Sequence, residues 1–366
     1  MKKRFFLIAL LALMLLAFAA CGQPASDESA DTETETDETT PADAEIEEIT
    51  INISHLGTSA DGGTPATKIG SAMHQTMLKF KEVCEAESNG KITVNIYSDM
   101  TTATSDREVL ELVGSNVSQI GTVPGFALGE FSNVKEFNIF DFPYLFKDSE
   151  EVYKFTDSGM LDDAKAKATA NSGIGVYESW VLGWSQMASN KEIKVPADVA
   201  GMKIRCGSST IQVETLKAEG ASPISLATGE VFTAMQQGAI DGLIFAENIM
   251  KAYKYYDVCS NLTVYNSMPT THFIIYNQGF YDGLSDGAKA IWDDAMAEAI
   301  KTARELGAIT QAENIDILVA GGMDAYYPTE EEMKEWKDCV SDIIVNYADE
   351  AGGADFVNSV VDLLAE

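Results

Sequence analysis

The 366-residue chain is short of positive charge: 25 Lys and Arg stand against 57 Asp and Glu, for a formal net charge of −32. A surface this acidic excludes nucleic acid as a partner, because recognition of a phosphate backbone needs basic patches. Anionic small ligands are not excluded, since the local potential of a cleft can oppose the net charge. There are only three histidines, His55, His74 and His272, and they form neither an H-E-x-x-H nor an H-x-x-x-H pair. No metal site and no metal or redox cofactor is therefore expected. Of five cysteines, Cys84, Cys206, Cys259 and Cys339 lie far apart with no C-x-x-C, which argues against zinc and leaves their pairing open. The chain has no G-x-S-x-G elbow, no Walker loop and no G-x-G-x-x-G. Carboxylate pairs such as Asp293-Asp294 stand in charge-rich helical sequence, where a solvated face explains them better than glycosidase chemistry. After the first twenty residues no apolar run is long enough to span a bilayer.

What is present begins with that N-terminal stretch. Lys2, Lys3 and Arg4 precede FFLIALLALMLLAFAA, and Ala19-Ala20 precede Cys21. This is the pattern of a lipoprotein signal peptide over residues 1–20, with Cys21 acylated to hold the exported chain at the outer face of the cell membrane. Residues 22–48 contain no Lys, Arg or aromatic residue. Such a segment cannot bury enough apolar area to offset chain entropy, so 21–48 reads as a disordered acidic tether.

The remaining chain is longer than one core usually serves, which predicts two lobes. ITINIS (49–54) and ITVNIY (92–97) read as strands around an amphipathic helix over 66–88. SDREVLELV opens with a capping box, Ser105 at the cap and Glu108 three residues on. Strand and helix alternate again through GIGVYES (173–179), MKIRC, the helix before GASP, and GEVFTAMQQGAIDG (229–242), a rhythm that predicts parallel sheets covered by helices. From Ser285-Asp286 a long helix is expected, with Ile291, Trp292, Ala295, Met296, Ala299, Ile300 and Ala303 on one stripe. An exported two-lobed α/β protein without catalytic motifs is most economically a receptor that closes on a small molecule, not an enzyme.

In GMKIRCGSS (201–209), Met202, Ile204 and Cys206 alternate with Lys203 and Arg205, a half-buried strand. The face carrying Arg205 is either simply solvated or aims a guanidinium fork into a cleft to hold a carboxylate. From residue 49 onward the chain resembles the extracytoplasmic solute-binding proteins of TRAP (tripartite ATP-independent periplasmic) transporters. The matching stretches are SDREVLELV, FDFPYLFKDSEEVYKF, VPADVAGMKIRCGSS, GASPISLATGEVFTAMQQGAIDG and FIIYNQGFYDGLSDGAKAIWDDA.

The resemblance implies a periplasmic-binding-protein-like fold. Lobe I would span 49–180 with 271–310 returning to it. Lobe II would span 181–270, with C-terminal helices 311–366 packing across both and a long helix bridging them. It implies a monomer that captures a small organic acid and delivers it to TRAP permease subunits driven by an ion gradient; a binding protein serving a signalling partner is the alternative. The family's arginine, two-pronged on the ligand carboxylate, falls on Arg205, and Asp106 matches an acidic cleft position. DGLIFA (241–246) puts Phe245 where relatives have a pocket-facing asparagine. Ser185 stands where a second cleft arginine is common, after Gly183-Trp184. With Trp180, Trp184, Phe126 and Thr228 also at or near pocket positions, the cleft is expected to be poor in charge and rich in aromatics.

Overall fold

The computed structural model describes residues 46–59 and 71–366. The signal-like segment, Cys21 and the tether up to residue 45 lie outside the described residues.

Among the described residues ten strands carry the fold: β1 (Ile49–Ser54), β2 (Ile92–Tyr97), β3 (Ile120–Pro124), β4 (Ile174–Ser189), β5 (Lys203–Cys206), β6 (Ser222–Ser225), β7 (Gly242–Ala246), β8 (Asn261–Thr263), β9 (Pro269–Asn277) and β10 (Asp324–Tyr326). Their order is β2-β1-β3-β9-β4-β7-β5-β6, with β8 on β4 and β10 on β8. The outer strands are parallel, as the alternating rhythm predicts: β1 with β2 and β3, β5 with β6 and β7. The centre is antiparallel, through β3-β9, β9-β4 and β4-β7. The all-parallel expectation fails there because β4 is one long strand. It pairs with β9 as far as Trp184 and with β7 from Ser185 onward, so a single strand serves both lobes.

Local sequence explains the elements that flank the cleft. The first helix is Ala72–Glu87, with Ser71 accepting from the His74 backbone N–H at 3.0 Å. The helix Asp106–Gly114 is capped by Ser105, which accepts from the Glu108 N–H at 3.3 Å. The Glu108 carboxylate accepts from the Thr104 N–H at 2.6 Å, one residue before the cap, so only half of the expected capping box closes. The long helix runs Asp286–Ala320 with Ser285 as its cap. Trp292, Ala295, Met296, Ala299 and Ala303 pack it into the first lobe's core with Phe80, and Ile315 and Leu318 pack its far end with Leu243 and Leu262 in the second. It therefore bridges the lobes, as its apolar stripe suggests.

The C-terminal helices divide their contacts. Trp336, on Glu330–Val340, is fully buried against Tyr265 and donates to the Lys194 carbonyl at 2.9 Å. Phe356, on Ala354–Ala365, packs edge-on against Phe155 in the first lobe, with ring centroids 6.2 Å apart. The four described cysteines are free thiols. No described helix is long and apolar enough to cross a membrane.

Candidate functional site

Strand β5 decides the orientation of Arg205. Ile204 and Cys206 are fully buried in a core with Val199 and Leu216, so the alternation of the strand turns Lys203 and Arg205 to the other side. Lys203 is exposed, but Arg205 is only 4% exposed, so the solvated reading of this face does not hold for it.

The guanidinium is fixed from two directions. Its Nε and Nη2 both donate to the Leu226 carbonyl, at 3.1 and 2.8 Å. Its plane lies over the Phe245 ring, 3.9 Å from the centroid. Phe245 in turn stacks on Tyr255 at 5.9 Å, and Tyr255 on Phe232 at 6.2 Å. An aromatic column thus underlies the cation. Leu226 occupies one edge of the guanidinium, which leaves Nη1 and the outer Nη2 hydrogen as a parallel donor pair at its end. Among the described residues Arg205 has no carboxylate within ion-pair distance. Burial pulls it down to about 10, so it remains a cation at neutral pH.

Arg205 lines a cavity with about 610 Å³ of empty space, part of it open to solvent. Six of the eight sequence candidates line it: Arg205, Phe245, Ser185, Asp106, Phe126 and Thr228. Phe245 does more than wall the cavity, since it also orients Arg205. Asp106 sits in the first turn of its helix and also faces the cavity. Part of the residue reaches solvent, yet burial of its carboxyl in the cleft pushes it up to about 6, with Arg205 pulling in the opposite direction. A second, outer chamber continues past Asp106, Phe126 and Arg205 to Arg107 and Glu130.

Trp184 and Trp180 are corrections: neither lines the cavity. Ser185 faces it, and its strand neighbour Trp184 projects to the opposite side, into the first lobe's core. Trp180 is fully buried behind His272, its cross-strand partner, with ring centroids 5.7 Å apart. Two register shifts along β4, between Val176 and Ser179 and between Val181 and Gly183, decide these directions. Position in a motif carries no information about such bulges.

The cavity also gathers residues without a sequence signal of their own, including Leu56, Met73, Gln212, Tyr253 and His272. Gln212 accepts from the Gly207 N–H at 3.2 Å and donates to buried Asp141 at 2.8 Å. Gly207 leaves room for Phe126, since a Cβ there would stand 2.9 Å from the tip of its ring. Burial pushes His272 down to about 3, so it is a neutral lining group. Behind the wall, fully buried Glu247 accepts from the Trp184 N–H at 3.0 Å and is pushed up to about 7, mainly by burial. Its carboxylate packs against Gly183, where a Cβ would come within 2.6 Å of it, which accounts for the glycine before Trp184. Among the described residues no group of three or more His, Cys, Asp or Glu is arranged to hold a metal ion.

The relatives of the chain agree with this architecture. It is 29% identical over 281 residues to the C4-dicarboxylate-binding periplasmic protein DctP of Rhodobacter capsulatus, covering 75% of this chain and 82% of that protein. It is 25% identical over 301 residues to the 2,3-diketo-L-gulonate-binding periplasmic protein YiaO of Escherichia coli, covering 79% and 87%. The structure superposes with a TM-score of 0.78 on a TRAP periplasmic solute-binding protein of Sulfurospirillum deleyianum with bound succinate. The match covers 86% of this chain and 99% of that one at 23% identity, and so shows the two-lobed fold. Residues 65–350 match the model of the bacterial extracellular solute-binding proteins, family 7, and with most of its length inside that match the chain belongs to this family.

Proposed function

We propose that the protein is the receptor of a TRAP transporter, capturing a small organic acid through Arg205 and passing it to an ion-gradient-driven permease. The observation that carries this reading is Arg205 itself: a buried cation that lines the cavity between the lobes, with a donor pair left over and no carboxylate within ion-pair distance among the described residues. A buried charge is costly unless paired, and an arginine cannot shed its proton at neutral pH. An anion entering the cavity supplies the missing partner. The carboxylate lies in the guanidinium plane, its body meets Phe126 and Phe245, and closure follows to the extent that the ligand binds the closed form better than the open one. The named ligands of the relatives, C4-dicarboxylates and a diketo sugar acid, support an acid as the ligand class.

The action is capture without turnover, by a monomer. Acylation at Cys21 would hold the receptor beside its permease, with the acidic segment to residue 48 as spacer. Membrane fractionation checks this: Cys21→Ser is expected to release the protein in soluble form. The lobe division near residues 180 and 270 is supported by the change of partner along β4 from β9 to β7.

The test of the central reading is native mass spectrometry of protein purified from its own host, followed by denaturation and identification of what is released. An intact carboxylic acid is expected. Release of a chemically altered product, or binding of a ligand with no acid group, counts against the proposal.

A further inference from the structure

The charge of the cavity narrows the ligand class, on the reading that an acid is captured at all. Among the described residues Arg205 is the only cation lining the inner cavity, and it seats one carboxylate. The other ionisable groups there offer a second carboxylate nothing. His272 is held neutral by burial, the Tyr253 hydroxyl donates to the Leu56 carbonyl, and Asp106 carries the wrong sign. Arg107 lies in the outer chamber, mostly exposed, and its side chain is already bound to Glu111 at 3.0 Å. The rest of the inner wall is largely apolar, with Met73, Phe126 and Ile249 among its members.

We propose that the site takes a monocarboxylate with an apolar body, and that Asp106 turns dicarboxylates away. A monocarboxylate meets Arg205 with its charged end and apolar side chains with the remainder, so each part finds a matching surface. A dicarboxylate of similar length must lose hydration at its second charge without gaining a cation among the described residues, inside a cavity that Asp106 also lines. Asp106 is thus a specificity-determining residue that acts by repulsion as well as by what it admits.

The experiment is calorimetric titration of the protein, freed of carried-over ligand, with 4-methylpentanoate, 3-phenylpropanoate and succinate. At least one monocarboxylate is expected to bind about 100-fold more tightly than succinate, the scale set by one unpaired buried charge. Asp106→Asn is expected to shrink that ratio about tenfold by strengthening succinate. Asp106→Ser, also suited to a first helical turn, gives the same readout if the first variant melts early. Succinate binding within tenfold of the better monocarboxylate, or a ratio unchanged in both folded variants, overturns the inference. Binding of succinate alone overturns it while leaving the acid-receptor reading intact. Failure of all three acids, with no acid recovered from the native protein, overturns both.

Discussion

Arg205 and Glu219 are both buried ionisable groups of the second lobe, and the protein treats them in opposite ways. Arg205 is 4% exposed and Glu219 2%. Arg205 has two hydrogen bonds to a carbonyl, an aromatic face beneath it and an open cavity in front. Among the described residues neither Glu219 oxygen has a hydrogen-bond partner, and the group lies near the Tyr144 and Tyr265 hydroxyls and the Cys339 thiol. The difference follows from proton chemistry. Burial pushes Glu219 up to about 8, so at neutral pH it escapes the cost of burial by holding its proton. Arginine has no such exit, and only an anion can relieve it. A buried carboxyl without a partner is therefore compatible with a purely structural position. A buried guanidinium without one, facing a cavity, points to a ligand.

The largest expected effect removes the cation. Arg205→Ala leaves a bound carboxylate buried and unpaired, a loss of about 2–5 kcal/mol or roughly 30-fold to several thousand-fold in affinity. Arg205→Lys is expected to recover part of this, because a point charge cannot serve both oxygens in one plane. Calorimetry with the acid recovered from the native protein measures both. An Arg205→Ala variant that is folded and binds as tightly as the parent would break the comparison at its first term.

Glu219 supplies the contrasting test, read in stability. Its folded-state value of about 8 lies above its ordinary carboxylate value of 4.5. Protonation therefore stabilises the native state fully below about pH 4.5, and that contribution is lost as pH rises through 8. Glu219→Gln, which stays neutral, is expected to match the parent near pH 4.5 and exceed it at pH 9 by on the order of 5 kcal/mol. Denaturant melts of the two proteins across that range check the sign, and parallel pH profiles would refute the assignment.

Two smaller changes sharpen the Arg205 side. Phe245→Ala removes the ring under the guanidinium and part of the apolar wall, and is expected to weaken acid binding by about 1–2 kcal/mol. Trp184→Ala, by contrast, should lower the melting temperature and leave affinity nearly unchanged in the folded fraction, since its indole lies in the core. The smallest effect belongs to Ser185→Ala. One neutral hydrogen bond to the ligand is worth about 1 kcal/mol at most, a shift that titration calorimetry resolves.

Much of this was legible from residue order, because it depends on local chemistry. Strands β1, β2 and β5, the Ser105 and Ser285 caps and the stripe of the long helix follow from period and capping. Those signals repeat within a few residues and need no distant partner. The face of Arg205 was legible as well, since Ile204 and Cys206 fix the opposite side of the same strand. What the alternation of β5 left open was whether that face met water or a cavity, and only the packing of the two lobes answers it.

Tertiary structure alone decided the rest. Bulges in β4 turned Trp184 and Trp180 into the core, though they stand within five residues of cavity-lining Ser185. The Leu226 carbonyl lies 21 residues from Arg205 in sequence, and Tyr255 reaches Phe245 only because the Glu247–Ala252 helix and left-handed Lys254 bring the chain back. His272 and Tyr253 join the cavity from β9 and from the end of the Glu247–Ala252 helix. Such contacts carry no spacing rule, because their distances are set by how sheets and helices close on one another. The sequence by itself determined that this chain holds an arginine on a strand face in a two-lobed α/β receptor. Burial of that arginine, the carbonyl that occupies one of its edges and the acidic neighbour that limits its ligands exist only once the lobes have assembled, since each depends on groups brought together from distant parts of the chain.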